Sequence, residues 1–147
     1  MSVSTNLFCS ILILVIMTTL GKNKQGTTDC HIYLNHSMYR EERESLLTEV
    51  RKVKKEMNYE CDLERLACQN WDHRYSGYLR VIGGAFPLQH RVTMQSDNQR
   101  DYFFEKASNK WSGRRLGSLH GERNIGCGYD VNNVTNGYLY EIYCLAK

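Results

Sequence analysis

The stretch that most constrains this chain is its last one, because it combines a strand pattern with a cysteine. Residues 138–144, Tyr-Leu-Tyr-Glu-Ile-Tyr-Cys, are rich in aromatic and β-branched types, which suit a pleated, half-buried surface. Asn136-Gly137 stands just before them and offers the positive-φ positions of a tight turn. Residues 124–129 make a plausible partner strand on the other side of that turn. Cys144 ends the pattern close to the chain's end, and Cys30 stands near the start of the expected mature chain. A bridge between the two would join both ends of a small domain into one ring. Small secreted domains often compensate for a modest core in this way.

The chain has 147 residues, which is one domain, or one domain plus a leader. Its 41% apolar and 11% aromatic content suffices for a packed core, so global disorder is not expected. Basic residues number 19 and acidic ones 16, a balance too even to imply nucleic-acid binding by charge alone. There are six cysteines. Cys9 lies in an apolar leader; the other five leave two bridges and one thiol. Cys61, Cys68 and Cys127 can be paired in more than one way from sequence. No Cys/His spacing matches a zinc site, so neither metal nor cofactor is expected.

Residues 7–20 form an apolar run. A spanning helix needs about 20 apolar residues, so this run has the length of a signal-peptide core and not of a stable membrane span. Thr19 and Gly21 suit cleavage after Gly21. The expected organisation is a signal peptide at 1–21, a flexible mature N-terminus at 22–29 and one domain at 30–147, secreted to the outside of the cell. Asn35-His36-Ser37 and Asn133-Val134-Thr135 are glycosylation sequons.

Residues 31–34 read as a short strand, and Asn35-His36-Ser37 as turn and N-cap chemistry. Residues 39–57 read as a helix: Leu46, Leu47, Val50, Val53 and Met57 recur at three- and four-residue steps and share one face. Glu41, Glu42 and Glu44 near its start and Arg51, Lys52, Lys54 and Lys55 near its end complement the helix dipole. Strands are expected at 78–82, 89–95 and 101–106. Strands segregated from a single helix indicate an α+β domain, with that helix packed on an antiparallel β-sheet.

The candidate polar set is His73, His90, Glu105, Arg114, Arg115, His120, Glu122 and Arg123. A transphosphorylating ribonuclease needs a base for the 2′-hydroxyl proton, an acid for the leaving oxygen and a cation for the phosphorane. Glu105 with His90 or His120, plus Arg123, has those chemical types. Arg114, Arg115 and Arg123 are candidates for RNA phosphates. No nucleophile elbow and no phosphate loop is present. Gly83-Gly84 and Gly126-Cys127-Gly128 read as breaks or bulges.

The order of parts resembles the small secreted effectors of powdery mildew fungi, whose ribonuclease-like fold is related to guanyl-specific fungal ribonucleases. The resembling features are the leader, Cys30, the following helix, Phe86-Pro87, the aromatic stretch 102–105, a Gly/Ser-rich loop and Cys144. The resemblance implies a Cys30–Cys144 bridge and a ribonuclease-like fold. It also implies an effector that binds host RNA or protein, can be delivered into host cells, and can be detected by a plant immune receptor. Three positions depart from that family. Thr28 replaces an aromatic two residues before the first cysteine. Leu88, not histidine, follows Pro87. No histidine follows His120 to serve as the acid. The expected reading is therefore a non-catalytic, pseudo-ribonuclease effector. The alternatives are an active guanyl-type ribonuclease and an unrelated cysteine-stapled extracellular binding domain.

Overall fold

The computed structural model describes residues 29–31, 34–74, 82, 84–121 and 123–147, with the side chain of Arg114 left aside. The expected leader, all but the last residue of the expected flexible stretch 22–29 and all but the last residue of the strand expected at 78–82 fall outside these residues, as do two positions of the strand expected at 31–34. Described in chain order are α1 (Arg40–Val53), β1 (Met57–Tyr59), α2 (Cys61–Gln69), a short 3-10 turn (Trp71–His73) and β2 (Phe86–Met94). There follow α3 (Arg100–Trp111), one π turn (Ser112–Leu116), β3 (Arg123–Val134) and β4 (Gly137–Ala146).

The terminal hairpin forms as the sequence suggests and is the centre of the sheet. Its strand order is β1-β3-β4-β2. β4 runs antiparallel to both neighbours, whereas β1 runs parallel to β3, so the sheet is mixed and not wholly antiparallel as expected. Residues Tyr140 to Ala146 of β4 are all buried, as a central strand covered on both faces requires. The hairpin turn is one residue earlier than Asn136-Gly137 implies. Val134 pairs with Gly137, the tip is Thr135-Asn136, and the positive φ of 130° falls on Gly137.

Both faces of the sheet are covered. On one face, α1 and α3 pack over Leu88, Ile125, Tyr129, Tyr140 and Ile142. On the other, Leu63 and Ala67 of α2, with Trp71, pack over Tyr143 and Leu145. The domain is thus α+β with three helices among the described residues, not one. The expected face of α1 is correct: Leu46, Leu47 and Val50 are buried, and Val53 is half-buried against the core. The helix ends at Val53, however, and Met57 opens β1. Its four-residue spacing from Val53 mimics a helical face because Met57 enters the same core from a strand. Residues 101–106, expected as a strand, lie in α3. Their aromatics mark a helical stripe: Phe103, Phe104, Ala107, Ser108 and Trp111 are buried at three- and four-residue steps. A six-residue window is too short to reveal that period.

The disulfides correct the expected staple. Cys127 and Cys144 are bridged, and so are Cys30 and Cys61; Cys68 is the buried free thiol. Cys127 and Cys144 are register partners on β3 and β4, with Cα atoms 4.0 Å apart. The hairpin therefore presents Cys144 to Cys127 before any distant cysteine can reach it. Cys30 is joined instead to the first residue of α2, which fastens the segment before α1 to the helix on the far face.

Gly126 and Gly128 are neither breaks nor bulges. Both lie within the paired length of β3 and face α2. A Cβ on Gly126 would run into the backbone of Glu60, Leu63 and Glu64, and one on Gly128 would stand 3.0 Å from the Trp71 ring. The missing side chains let a helix backbone and an indole lie directly on the sheet. Among the described residues, two side chains donate to backbone carbonyls of the edge strand. The Trp111 indole N–H donates to the Gln89 carbonyl at 3.2 Å, and Arg115 donates to the Pro87 carbonyl at 3.1 Å.

A graded glycine series tests this packing. Gly126→Ala should lower unfolding stability by about 3 kcal/mol or more, since backbone on both sides must move. Gly128→Ala should cost less, because a ring can shift, and Gly113→Ala should be nearly neutral, because its added methyl meets nothing. Urea unfolding of the three variants gives the order.

Candidate functional site

The structure disperses the residues picked for ribonuclease chemistry. His90 lies on β2, half-buried, with its ring stacked on Phe103 at 5.4 Å. Burial and nearby Lys110 hold its imidazole below the usual histidine range. Its Nδ1 is buried with no hydrogen-bond partner among the described residues. Glu105 is exposed on α3, two residues beyond Phe103 and so turned about 200° away around the helix. His90 shares a row of the sheet with Ile142 and Tyr129. Arg123 lies at the far end of β3 from that row, which places it about 20 Å from His90 by strand geometry. His120 and His73 are exposed outside the sheet, and Glu122 lies outside the described residues. Of the arginines chosen for phosphate, Arg115 is committed to the Pro87 carbonyl, and Arg123 lies across the sheet from it.

A different set of side chains converges, around the segment just before α1. His36 takes a left-handed backbone, φ 67°, rare for a residue with a side chain. Its carbonyl accepts from the Tyr129 amide at 2.9 Å, and Ser37 bridges to Gly128, so the segment is laid against β3. The His36 ring stacks on Trp71 with centroids 4.3 Å apart and planes 9° apart. Its Nδ1 is 3.0 Å from an Asp130 carboxylate oxygen. Nδ1–H therefore donates, which leaves Nε2 as the ring's other hydrogen-bonding atom. The Arg74 guanidinium lies 4.2 Å from the Trp71 ring and pairs with Glu141 at 3.1 Å. Asp130 and Glu141 face each other across β3 and β4, and Arg91 continues that row on β2.

Two clefts open beside this cluster. One of about 530 Å³ is lined by Asp29, Leu34, His36, Tyr39 and Arg40, among others. A second of about 220 Å³ is lined by Leu34, Asn35, His36, Cys68 and Trp71, among others. Tyr39 is 77% exposed and Leu34 39% exposed, so the rim carries an aromatic and an aliphatic side chain in water. Among the described residues no group of three or more His, Cys, Asp or Glu is placed to hold a metal ion. Nor is any helix there long and apolar enough to cross a membrane.

Beneath the cluster lies a buried polar network. Arg43 of α1 donates to both carboxylate oxygens of Glu64 on α2, at 2.7 and 2.8 Å. The Met38 amide donates to the same carboxylate at 2.9 Å, and the Tyr59 hydroxyl at 2.8 Å. Glu64 is wholly buried and Arg43 almost so. The network holds Met38, and with it the His36 turn, at one height above the sheet.

A family model matches residues 30–146, most of the chain and all of its described sheet and helices. The chain belongs to the Ancylostoma-associated secreted protein related family. This is a secreted-type family and is not the group of powdery mildew effectors that the sequence resembles. No curated protein and no solved structure matches the chain, so the ribonuclease-like relation gains nothing from the comparisons. Membership in a secreted-type family, together with two disulfides, is compatible with an extracellular protein.

Sequence reading missed the converging set for definable reasons. His36 was absorbed in a sequon and a turn. Trp71 and Arg74 lie in a short turn without periodicity. Glu141 did carry a signal: it is the one charge inside an otherwise apolar strand, and such a charge needs a partner.

In this family member the free thiol is chemically quiet. Burial first, then the neighbouring Glu64 carboxylate, push Cys68 from 9.0 up to about 12. It stays protonated and cannot serve as a thiolate nucleophile near neutral pH. Burial also drives the Tyr59 and Tyr129 phenols upward from 10.0.

Two predictions follow from these buried groups. Glu64→Gln should lower stability by about 3–5 kcal/mol, because it leaves Arg43 buried without its counter-charge. Exchanging the pair together, Arg43→Met with Glu64→Leu, should recover much of that loss in denaturant unfolding. The raised thiol and phenols also fix the sign of an alkaline transition. Between the unfolded and folded values the native state keeps protons that the unfolded chain has lost, so stability falls as pH rises. Melting temperature should therefore decline from about pH 9 upward, and Cys68→Ala should flatten the first part of that decline.

Proposed function

We propose that this secreted protein is a non-catalytic binding protein, and that it engages an extracellular protein partner through the larger of the two clefts beside His36, the one lined by Leu34, Tyr39 and Arg40. The observation that carries the reading is the dispersal of the acid, base and cation candidates. His90, Glu105 and Arg123 lie on three elements: Glu105 is turned away from His90 around α3, and Arg123 lies about 20 Å from His90 along the same face of the sheet, so no single substrate position is within hydrogen-bond reach of all three. The His36 cluster, by contrast, is held rigid on its buried side by Asp130, Trp71 and the Glu64 network. Its outer side has an exposed Tyr39 and Leu34, side chains suited to anchoring in a partner's pocket. A protein partner is favoured over RNA because Arg115 and Arg123 form no continuous basic track for a phosphate backbone. The effector role suggested by the sequence is one biological setting for such a binder.

Incubating the purified protein with single-stranded RNA near neutral pH tests this reading. The expected result is no cleavage and no salt-sensitive binding. Cleavage that disappears in a His90→Ala, Glu105→Ala double variant would overturn the non-catalytic reading. Retention of RNA that weakens with rising salt and with Arg115→Ala, Arg123→Ala would replace the protein partner by RNA.

A further inference from the structure

We propose that Asn35 and Asn133 are N-glycosylated as the chain passes through a eukaryotic secretory pathway. These are the asparagines of the sequence that have a serine or threonine two residues on with no intervening proline. The motif alone only permits the reaction; the fold adds the condition that the product must be tolerated. A sugar is attached before folding is complete, so the native structure must leave room for it. Both positions meet that condition. Asn35 is exposed in the turn between Leu34 and His36, and Asn133 is exposed on β3 next to the Thr135-Asn136 tip. Neither lies in a helix or in the buried length of β3 or β4. The two sites are on different parts of the molecule, one beside the Trp71 cleft and one at the hairpin tip.

The hairpin site has a further feature. Asn133 is the cross-strand partner of Tyr138, which is half-buried. Side chains paired across an antiparallel ladder point to the same face about 5 Å apart at Cβ. The first N-acetylglucosamine on Asn133 therefore has an aromatic ring beside it, against which its C–H face can lie.

The reaction is a group transfer without redox change. The Asn Nδ2 forms a bond to the anomeric carbon of an oligosaccharide carried on a polyprenyl diphosphate. The bond from that carbon to the diphosphate oxygen breaks, the lipid diphosphate leaves with the bonding pair, and Nδ2 loses one proton. The hydroxyls of Ser37 and Thr135 are the features by which the transferase recognises the two sites.

The test is expression of the full chain in insect cells. Protein from the medium is treated with peptide-N-glycosidase and mapped by mass spectrometry. The expected result is a band that falls by two steps on treatment, with Asn35 and Asn133 converted to aspartate. Asn35→Gln and Asn133→Gln should each remove one step, and Thr135→Ala should match Asn133→Gln. Secreted, disulfide-bonded protein with unmodified asparagine at both positions would overturn the proposal, and an unmodified residue at one would remove that site. Unmodified protein found only inside the cells would overturn it as well, by showing that the chain never meets the transferase.

Discussion

The structure depends on one buried carboxylate. Glu64 has no contact with solvent, and such a group is costly to bury unless its lone pairs are filled by strong donors. Here they are filled from three directions: the Arg43 fork, the Tyr59 hydroxyl and the Met38 amide. Those donors belong to α1, to β1 and to the segment before α1, while the carboxylate belongs to α2. Tyr59 passes the network on to β3 by accepting the Cys127 amide at 3.2 Å. Hydrophobic burial could hold these elements together in several sliding arrangements. A carboxylate with directional donors accepts only one, which places α2 against Gly126 and Cys61 against Cys30.

That anchoring explains how the His36 cluster can be rigid although it rests on a turn. A turn carrying a left-handed histidine has little stability of its own. It is held at Met38 by Glu64, at the His36 carbonyl by β3 and at the histidine ring by Trp71 and Asp130. The cluster owes its geometry to long-range contacts, and Gly128 is what allows the indole to lie flat enough to make one of them.

The parts legible in sequence were those with local causes. The terminal hairpin announces itself through Asn136-Gly137 and an aromatic strand, and α1 through the repeat of Leu46, Leu47 and Val50. What could not be read was decided by distant partners. α2 is too short and too polar for its period to stand out, since Glu64 occupies a core position. α3 hides because Tyr102, Phe103 and Phe104 in succession imitate a strand. The pairing of Cys144 follows from the β3–β4 register, which brings Cys127 opposite, and register lies beyond a count of cysteines. Glu105 and His90 have the chemical types of a catalytic pair, yet only the helix that replaced the expected strand reveals that they face apart.

The edge strand β2 has a consequence for how this molecule behaves among copies of itself. Pro87 offers no amide, the Pro87 and Gln89 carbonyls are already occupied by Arg115 and Trp111, and exposed Arg91 follows. An approaching strand would find one amide missing, two carbonyls already taken and then a positive charge. Growth of the sheet from molecule to molecule is thereby discouraged at its β2 side.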